Sequence, residues 1–199
     1  LAKGIPNERM ELIPIWADPN QVRPMDRENS FRRAHGLTGK FVVMYAGNIG
    51  LTSCLEDVLE AADILRGQTD IQFVIVGEGV RKDALVADAE SRKLTNVHFL
   101  PYQPRELFPE MLAAADVSLV TLNAGAALSS MPSKIFNVMA SARPILAVAP
   151  PESEIAQIVA DAASFDELTA ALAALGKDRP GVLVVQAGMD YPDEVFILL

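Results

Sequence analysis

Cysteine is nearly absent: Cys54 is the one such residue among 199. No intramolecular disulfide can form, which fits a reducing compartment. Cations are also scarce. Seventeen Lys and Arg face 26 Asp and Glu, for a net charge of −9. That balance argues against nucleic acid as the main partner, since a phosphate backbone needs a basic footprint. It leaves room for a phosphorylated small molecule, which needs one or two local cations and several backbone N–H groups. Long apolar runs are missing too, and none approaches the roughly 18 residues that a membrane span needs. The start at Leu1 shows neither the basic nor the apolar region of a signal peptide. A cytoplasmic protein is expected, with a peripheral place at the inner membrane left open for a full-length form.

Clustered ligands are lacking as well. His35 and His98 join no group of metal-ligating side chains and read as structural or surface residues. Cys54 has no histidine in an evident pairing motif, so it reads as a small packed residue rather than a nucleophile.

What is present is a chain that is 50% hydrophobic, enough for a substantial core in one or one-and-a-half domains. After a Pro- and charge-rich stretch from Ile5 to Thr38, strands and helices alternate. Near-continuous apolar runs at Phe41–Ala46, Ile71–Val76, Val97–Leu100, Val117–Thr121 and Pro144–Val148 predict strands. Helical patterns at Leu55–Leu65, Lys82–Arg92, Leu107–Ala115, from Ser133, and Glu152–Ala162 lie between and after them. Strands apolar on both faces, separated by amphipathic helices, predict a doubly wound α/β domain with a parallel sheet and ligands at the strands' carboxyl ends. Beyond it, Asp166–Leu175 reads as helix, Lys177–Gly181 as a turn and Val182–Gln186 as a strand. Gly188–Asp190 reverses the chain, and Pro192–Glu194 either starts a helix or precedes a closing strand.

The stretch Pro132–Ile145 carries the most chemical information. It reads as a short helix feeding a buried strand, with polar groups crowded at the helix start. Ser133 is placed to cap the first turn through its hydroxyl. Ile135, Val138 and Met139 share one face, and Lys134 and Asn137 sit together on another. A lysine at a helix start, with its unpaired donors and partial positive charge, makes an anion seat. Phosphate is the first ligand to suspect. Two glycine pairs need weighing beside it. Gly47-Asn48-Ile49-Gly50 alone is a simple turn. Gly77-Glu78-Gly79 fails the dinucleotide fingerprint, because Lys82 stands where a third glycine belongs.

The order of these pieces resembles the C-terminal, donor-binding half of GT-B glycosyltransferases, in particular the large retaining family that builds bacterial surface polysaccharides. The resemblance rests on Lys3–Pro6 with Leu12–Asp18, Met44–Gly50, Val74–Gly79, Asn96–Leu100, Ala113–Val117 and the Pro-Ser-Lys helix, in family order from about Leu1 to Ala162. It implies a Rossmann-like domain over residues 41–199, preceded by an interdomain segment at 1–40 that packs on it. It also implies a UDP- or GDP-linked sugar as donor, no metal and no cofactor. A missing N-terminal domain would hold the acceptor and usually a catalytic histidine or aspartate. Lys134 would be the catalytic cation on the leaving diphosphate. Ser133 would be a cap and phosphate contact, and Asn137 a ribose contact. Gly47, Asn48, Ile49 and Gly50 would offer backbone N–H groups, and backbone around Leu100 to Gln103 would meet the base.

Two departures from that family stand out. Many members carry two glutamates eight positions apart around this helix, and Ser129 and Asn137 stand there instead. Asparagine can still bond a ribose hydroxyl, but Ser129 supplies no carboxylate. The usual Arg and Lys after the first strand are missing from Asn48–Ser53. Lys134 and the turn's N–H groups would substitute, as subgroup variation. The tail at 163–199 is atypical: the favoured reading makes 163–180 an insertion and Gly181–Val185 a sixth strand, and the other has the sixth strand lost and the tail altered. Two other readings stay open, a non-catalytic interaction module derived from such an enzyme and a GT-B sugar epimerase fragment. Asp116 marks a helix-to-strand turn, and Trp16 is expected to pack at the interdomain segment.

Overall fold

The computed structural model describes residue 11, residues 15–126, 130–156 and 158, and the backbone of 182–185 and 195–198. Five strands, β1 (Phe41–Ala46), β2 (Ile71–Val76), β3 (Val97–Leu100), β4 (Val117–Thr121) and β5 (Ile145–Val148), form an all-parallel sheet in the order β3-β2-β1-β4-β5. The apolar runs gave these strands nearly residue for residue.

Successive side chains of a strand point to opposite faces, so each strand feeds two cores. Val43, Tyr45, Phe73 and Ile75 pack under α2 (Leu55–Ile64) and α3 (Lys82–Ser91) through Leu55, Val58, Leu59 and Leu85. Val42, Met44, Val74 and Val76 pack on the other face with Met111 and Leu112 of α4 (Phe108–Ala113). Val120 and Leu122 meet Ile135 of α5 (Lys134–Ala140), whose complete burial stabilises the domain by about 2 kcal/mol.

The leading segment contributes more than its charge suggests. It contains a helix that the sequence pattern did not show, α1 (Ser30–Ala34), capped by the Asn29 side chain. Val22, Phe31 and Leu37 enter the same core as Met44 and Val74. Arg32 is fully buried, donating to the carbonyls of Ala114 and Lys40 and to the carboxylates of Glu28 and Asp116. Arg27 pairs with the other oxygen of Asp116, and the Val42 N–H donates to Asp116 at 2.7 Å. Asp116 is therefore a structural anchor at the start of β4.

Several expectations are corrected. Trp16 is 72% exposed, and the first described residue of its segment to reach the core is Val22. Met139 is 45% exposed. Its i+4 spacing puts it within about 40° of Ile135, yet it falls outside the part of that face that is buried. The helix expected at Leu107–Ala115 divides into a 3₁₀ turn at Arg105–Leu107 and α4, with Pro109 in the first turn. In the tail, β6 (Val182–Val185) pairs antiparallel with β7 (Val195–Leu198) in a separate two-stranded sheet, so it is not a sixth strand of the main one. The helix expected at Glu152–Ala162 is described at 154–156 and 158. Its remainder, the expected insertion at 163–180 and the turn at 188–190 lie outside the described residues.

Candidate functional site

The strand order reverses between β1 and β4, and open parallel sheets take ligands at such a switch point. A cleft of about 230 Å³ lies there, walled by Ala46 at the end of β1 and Gly47 after it, Val76 of β2, Tyr102 and Gln103 after β3, Ser133 just before α5, and Lys134 and Asn137 of α5. Its floor is apolar: Met44, Phe108, Met111 and Leu112. Five residues singled out from sequence thus share one cavity: Gly47, Gln103, Ser133, Lys134 and Asn137. Lys134 is the one Lys, Arg, Asp or Glu among the described residues that line it.

The ammonium of Lys134 lies 3.6 Å from the centroid of the Tyr45 ring. It forms no ion pair among the described residues. Burial pulls its pKa down from 10.5 to about 7. The π face of Tyr45 favours the charged form and opposes that pull. Tyr45 itself is buried and its phenol is pushed up to about 12 by desolvation, so it stays neutral and donates to the Asn48 carbonyl at 2.7 Å. Gly47 makes this proximity possible. A Cβ there would lie 2.7 Å from the lysine nitrogen, and the residue's φ of +151° disfavours any side chain.

The turn after β1 differs from a free-standing amide cradle. Gly47 N–H donates to Val76 O and Ile49 N–H to Glu78 O, both at 2.9 Å, so the β1–β2 ladder runs on through the turn. This close approach explains Gly77, whose Cβ would strike the Gly47 carbonyl. Ile49 is wholly buried in the core, and its expected donor role is corrected: its N–H is already bonded within the sheet. The N–H of Gly47 is taken in the same way. Asn48 and Gly50 keep N–H groups without an acceptor among the described residues.

The remaining candidates divide similarly. Leu100 does not line the cleft, and its carbonyl accepts the Gly77 N–H. Gln103 does line it, with its amide nitrogen tied to Pro101 O at 2.9 Å. Ser129 lies outside the described residues. Ser133 is not the cap that the sequence suggested. Its φ of −57° and ψ of −18° are already helical, whereas a capping side chain needs extended backbone to reach the first-turn N–H groups. Backbone carbonyls of Pro132 and Ser133 close that turn instead. At seven residues, α5 is short, so its charge rests on Lys134 more than on a helix dipole.

Cys54 stands outside the cleft lining with its thiol pushed up to about 11 by burial, so it is a thiol rather than a thiolate near neutrality. His98 bonds Gln72 at 2.7 Å, and burial holds its pKa below the usual value. No group of three or more His, Cys, Asp or Glu that could hold a metal ion occurs among the described residues. No helix among them is long and apolar enough to cross a membrane.

Sequence reasoning missed two contributors, Tyr45 and Asn123, and took only the backbone around a third, Tyr102. Tyr45 was read only as part of a strand motif, although it stands two residues before the switch-point turn and its ring meets Lys134. Tyr102 lines the cleft while 55% exposed. Asn123, two residues after β4, ties the loops together, with its N–H on Thr52 O at 3.1 Å and its side-chain amide on Leu51 O at 2.9 Å.

Comparison with known proteins agrees with this architecture. The family described as "Glycosyl transferases group 1" matches residues 26–188. WcaI of Escherichia coli (strain K12), which carries the name of a colanic acid biosynthesis glycosyl transferase, is 33% identical over 161 residues, covering 79% of this chain and 39% of WcaI. Among solved structures, Anabaena HepE in complex with UDP superposes with a TM-score of 0.64 at 19% identity, over 79% of this chain and 43% of HepE. The C-terminal domain of LpcC, a group 1 glycosyl transferase protein of Francisella tularensis, superposes with a TM-score of 0.56 at 19% identity, over 77% of this chain and 88% of that domain. The chain spans about two-fifths of the length of the curated relatives it matches. A parallel α/β sheet with its cleft at the β1–β4 junction, joined to a family match over most of the sequence, places this chain in the group 1 glycosyl transferases.

Proposed function

We propose that this chain is the donor-binding half of a retaining glycosyltransferase and takes a UDP- or GDP-linked sugar in the β1–β4 cleft. One observation carries the reading: a single lysine, without an ion pair among the described residues, is the one Lys, Arg, Asp or Glu among the described residues that line the cleft at the switch point. A cation there meets the charge that grows on a departing diphosphate, and it does so in a water-poor setting where electrostatic stabilisation is strongest. Asn137 on the same helix is placed for a ribose hydroxyl, and Gln103 and Tyr102 at the β3 rim for the base. The UDP complex of HepE and the isolated C-terminal domain of LpcC support the assignment by fold. Relatives named for glycosyl transfer and colanic acid synthesis support a role in surface polysaccharide or glycolipid assembly.

The acceptor and any general base then belong to a further domain, and this chain alone transfers nothing. Calorimetric titration with UDP and GDP tests the proposal. Heat with one diphosphate, lost in Lys134→Met, is the expected result. Silence with both would sink it. Sugar transfer by the 199-residue chain alone would sink the division of labour between halves.

A further inference from the structure

Lys134 sits in an unusual place for a lysine. Most partly buried ammonium groups are held by a carboxylate, which fixes their position and cancels their charge. Here the partner is an aromatic face, 3.6 Å from ring centroid to nitrogen. The same aromatic residue reaches the turn on the opposite wall, its hydroxyl donating to Asn48 O. Gly47 closes the arrangement, since the lysine nitrogen occupies the space its missing Cβ would need.

We infer that Tyr45 is the positioning residue of the donor site: its ring seats the Lys134 ammonium against the β1 turn while leaving that charge uncompensated. A ring quadrupole attracts a cation without contributing an opposing charge. The lysine is oriented before any anion arrives, and no ion pair among the described residues must break when one does. Burial raises the phenol pKa to about 12, so the partner never becomes a phenolate that would compete with a diphosphate near neutrality. Tyr45 touches Lys134 and the turn rather than being placed against the ligand, so it acts through them. This inference rests on the nucleotide-sugar reading above for its functional part, and its geometric part can be read without any nucleotide.

The test uses the 199-residue chain in wild-type, Tyr45→Phe and Tyr45→Leu forms. Carbon–proton correlation spectra of the lysine ε-methylenes give the first readout, with the Lys134 signal identified by its loss in Lys134→Met. Ring current should shift that signal upfield in the wild type and in Tyr45→Phe, and release it to the exposed-lysine position in Tyr45→Leu. UDP titration gives the second. Tyr45→Phe, which keeps the ring, should stay within about threefold of wild type, and Tyr45→Leu should lose about tenfold or more. An unshifted Lys134 signal in the wild type overturns the seat, even if UDP binds tightly. So does a Tyr45→Phe variant that weakens binding as much as Tyr45→Leu, because the hydroxyl would then be the working group. A shifted signal with no UDP heat in any form supports the seat and overturns the nucleotide reading instead. Should Tyr45→Leu fail to fold, the wild-type and Tyr45→Phe spectra and titrations alone decide.

Discussion

The same two strands, β1 and β4, carry a charged group at each end, and the two ends treat charge in opposite ways. Before β4 starts, Asp116 is held by Arg27 and Arg32, and every nitrogen of the buried Arg32 side chain reaches a carbonyl or carboxylate. Beyond β1 ends, Lys134 rests on an aromatic ring with no counter-ion among the described residues. The first arrangement is closed: nothing further can be gained by bringing an ion to it. The second is open, because a desolvated cation gains most when an anion arrives. Charge used for architecture is saturated from within the chain, and charge used for binding is left short.

That contrast can be broken from either end. The largest effect is expected at the closed end. Asp116→Ala takes from the buried guanidinium its one fully buried carboxylate partner, leaving the partly exposed Glu28, and should destabilise the domain by about 3 kcal/mol in urea denaturation. If stability is unchanged, the clasp is not structural. At the open end, Lys134→Met should lower UDP affinity about 100-fold by calorimetry, in line with losing a charge-assisted contact. Its folding stability should hold or rise, since an apolar chain of similar length replaces a desolvated cation.

The pH dependence follows from the same group. The folded-state pKa of Lys134 is lowered to about 7, against 10.5 in the unfolded chain. Between those values the unfolded chain binds the extra proton, so this residue makes stability increase with pH across that window. UDP affinity should fall over the same range as the free site loses its charge. Lys134→Met should flatten both trends.

Gly47→Ala sharpens the comparison further. The added methyl meets the lysine nitrogen and the backbone at φ +151° is strained, so a loss of about 1–3 kcal/mol in stability is expected, with weaker UDP binding. The smallest effect belongs to Met139→Ala, on the exposed side of the very helix that carries Lys134. It should stay within about 0.5 kcal/mol of wild type by urea midpoint and bind UDP unchanged.

The closed end was nearly invisible in the sequence and the open end nearly explicit. Residues 5–38 are rich in charge and proline, a pattern that reads as a solvated approach to the domain. Periodicity cannot tell that Arg32 turns inward, because two of the groups that satisfy it, Ala114 and Asp116, lie more than 80 positions along the chain. Lys134 was legible because the Pro-Ser-Lys stretch puts a cation between a strand end and an amphipathic turn. Its aromatic seat was not, since Tyr45 comes from a strand 89 positions earlier and only the sheet order brings the two together. The parallel strands themselves were plain, because burial on both faces forces unbroken apolar runs. Ile49 shows the converse error: a residue in a glycine-flanked turn was assigned to ligand binding when it plugs the core.

The turn that follows β1 is a loop in sequence and a sheet edge in mechanics. Bonds to Val76 O and Glu78 O hold it on one flank, and Asn123 and Thr121 grip Leu51, Thr52 and Ser53 on the other. A wall tied down on both flanks has little configurational freedom left to surrender when a guest settles against it. Capture at this cleft should therefore proceed at the pace of diffusion and desolvation, with no slow folding-over of the β1 side to wait for.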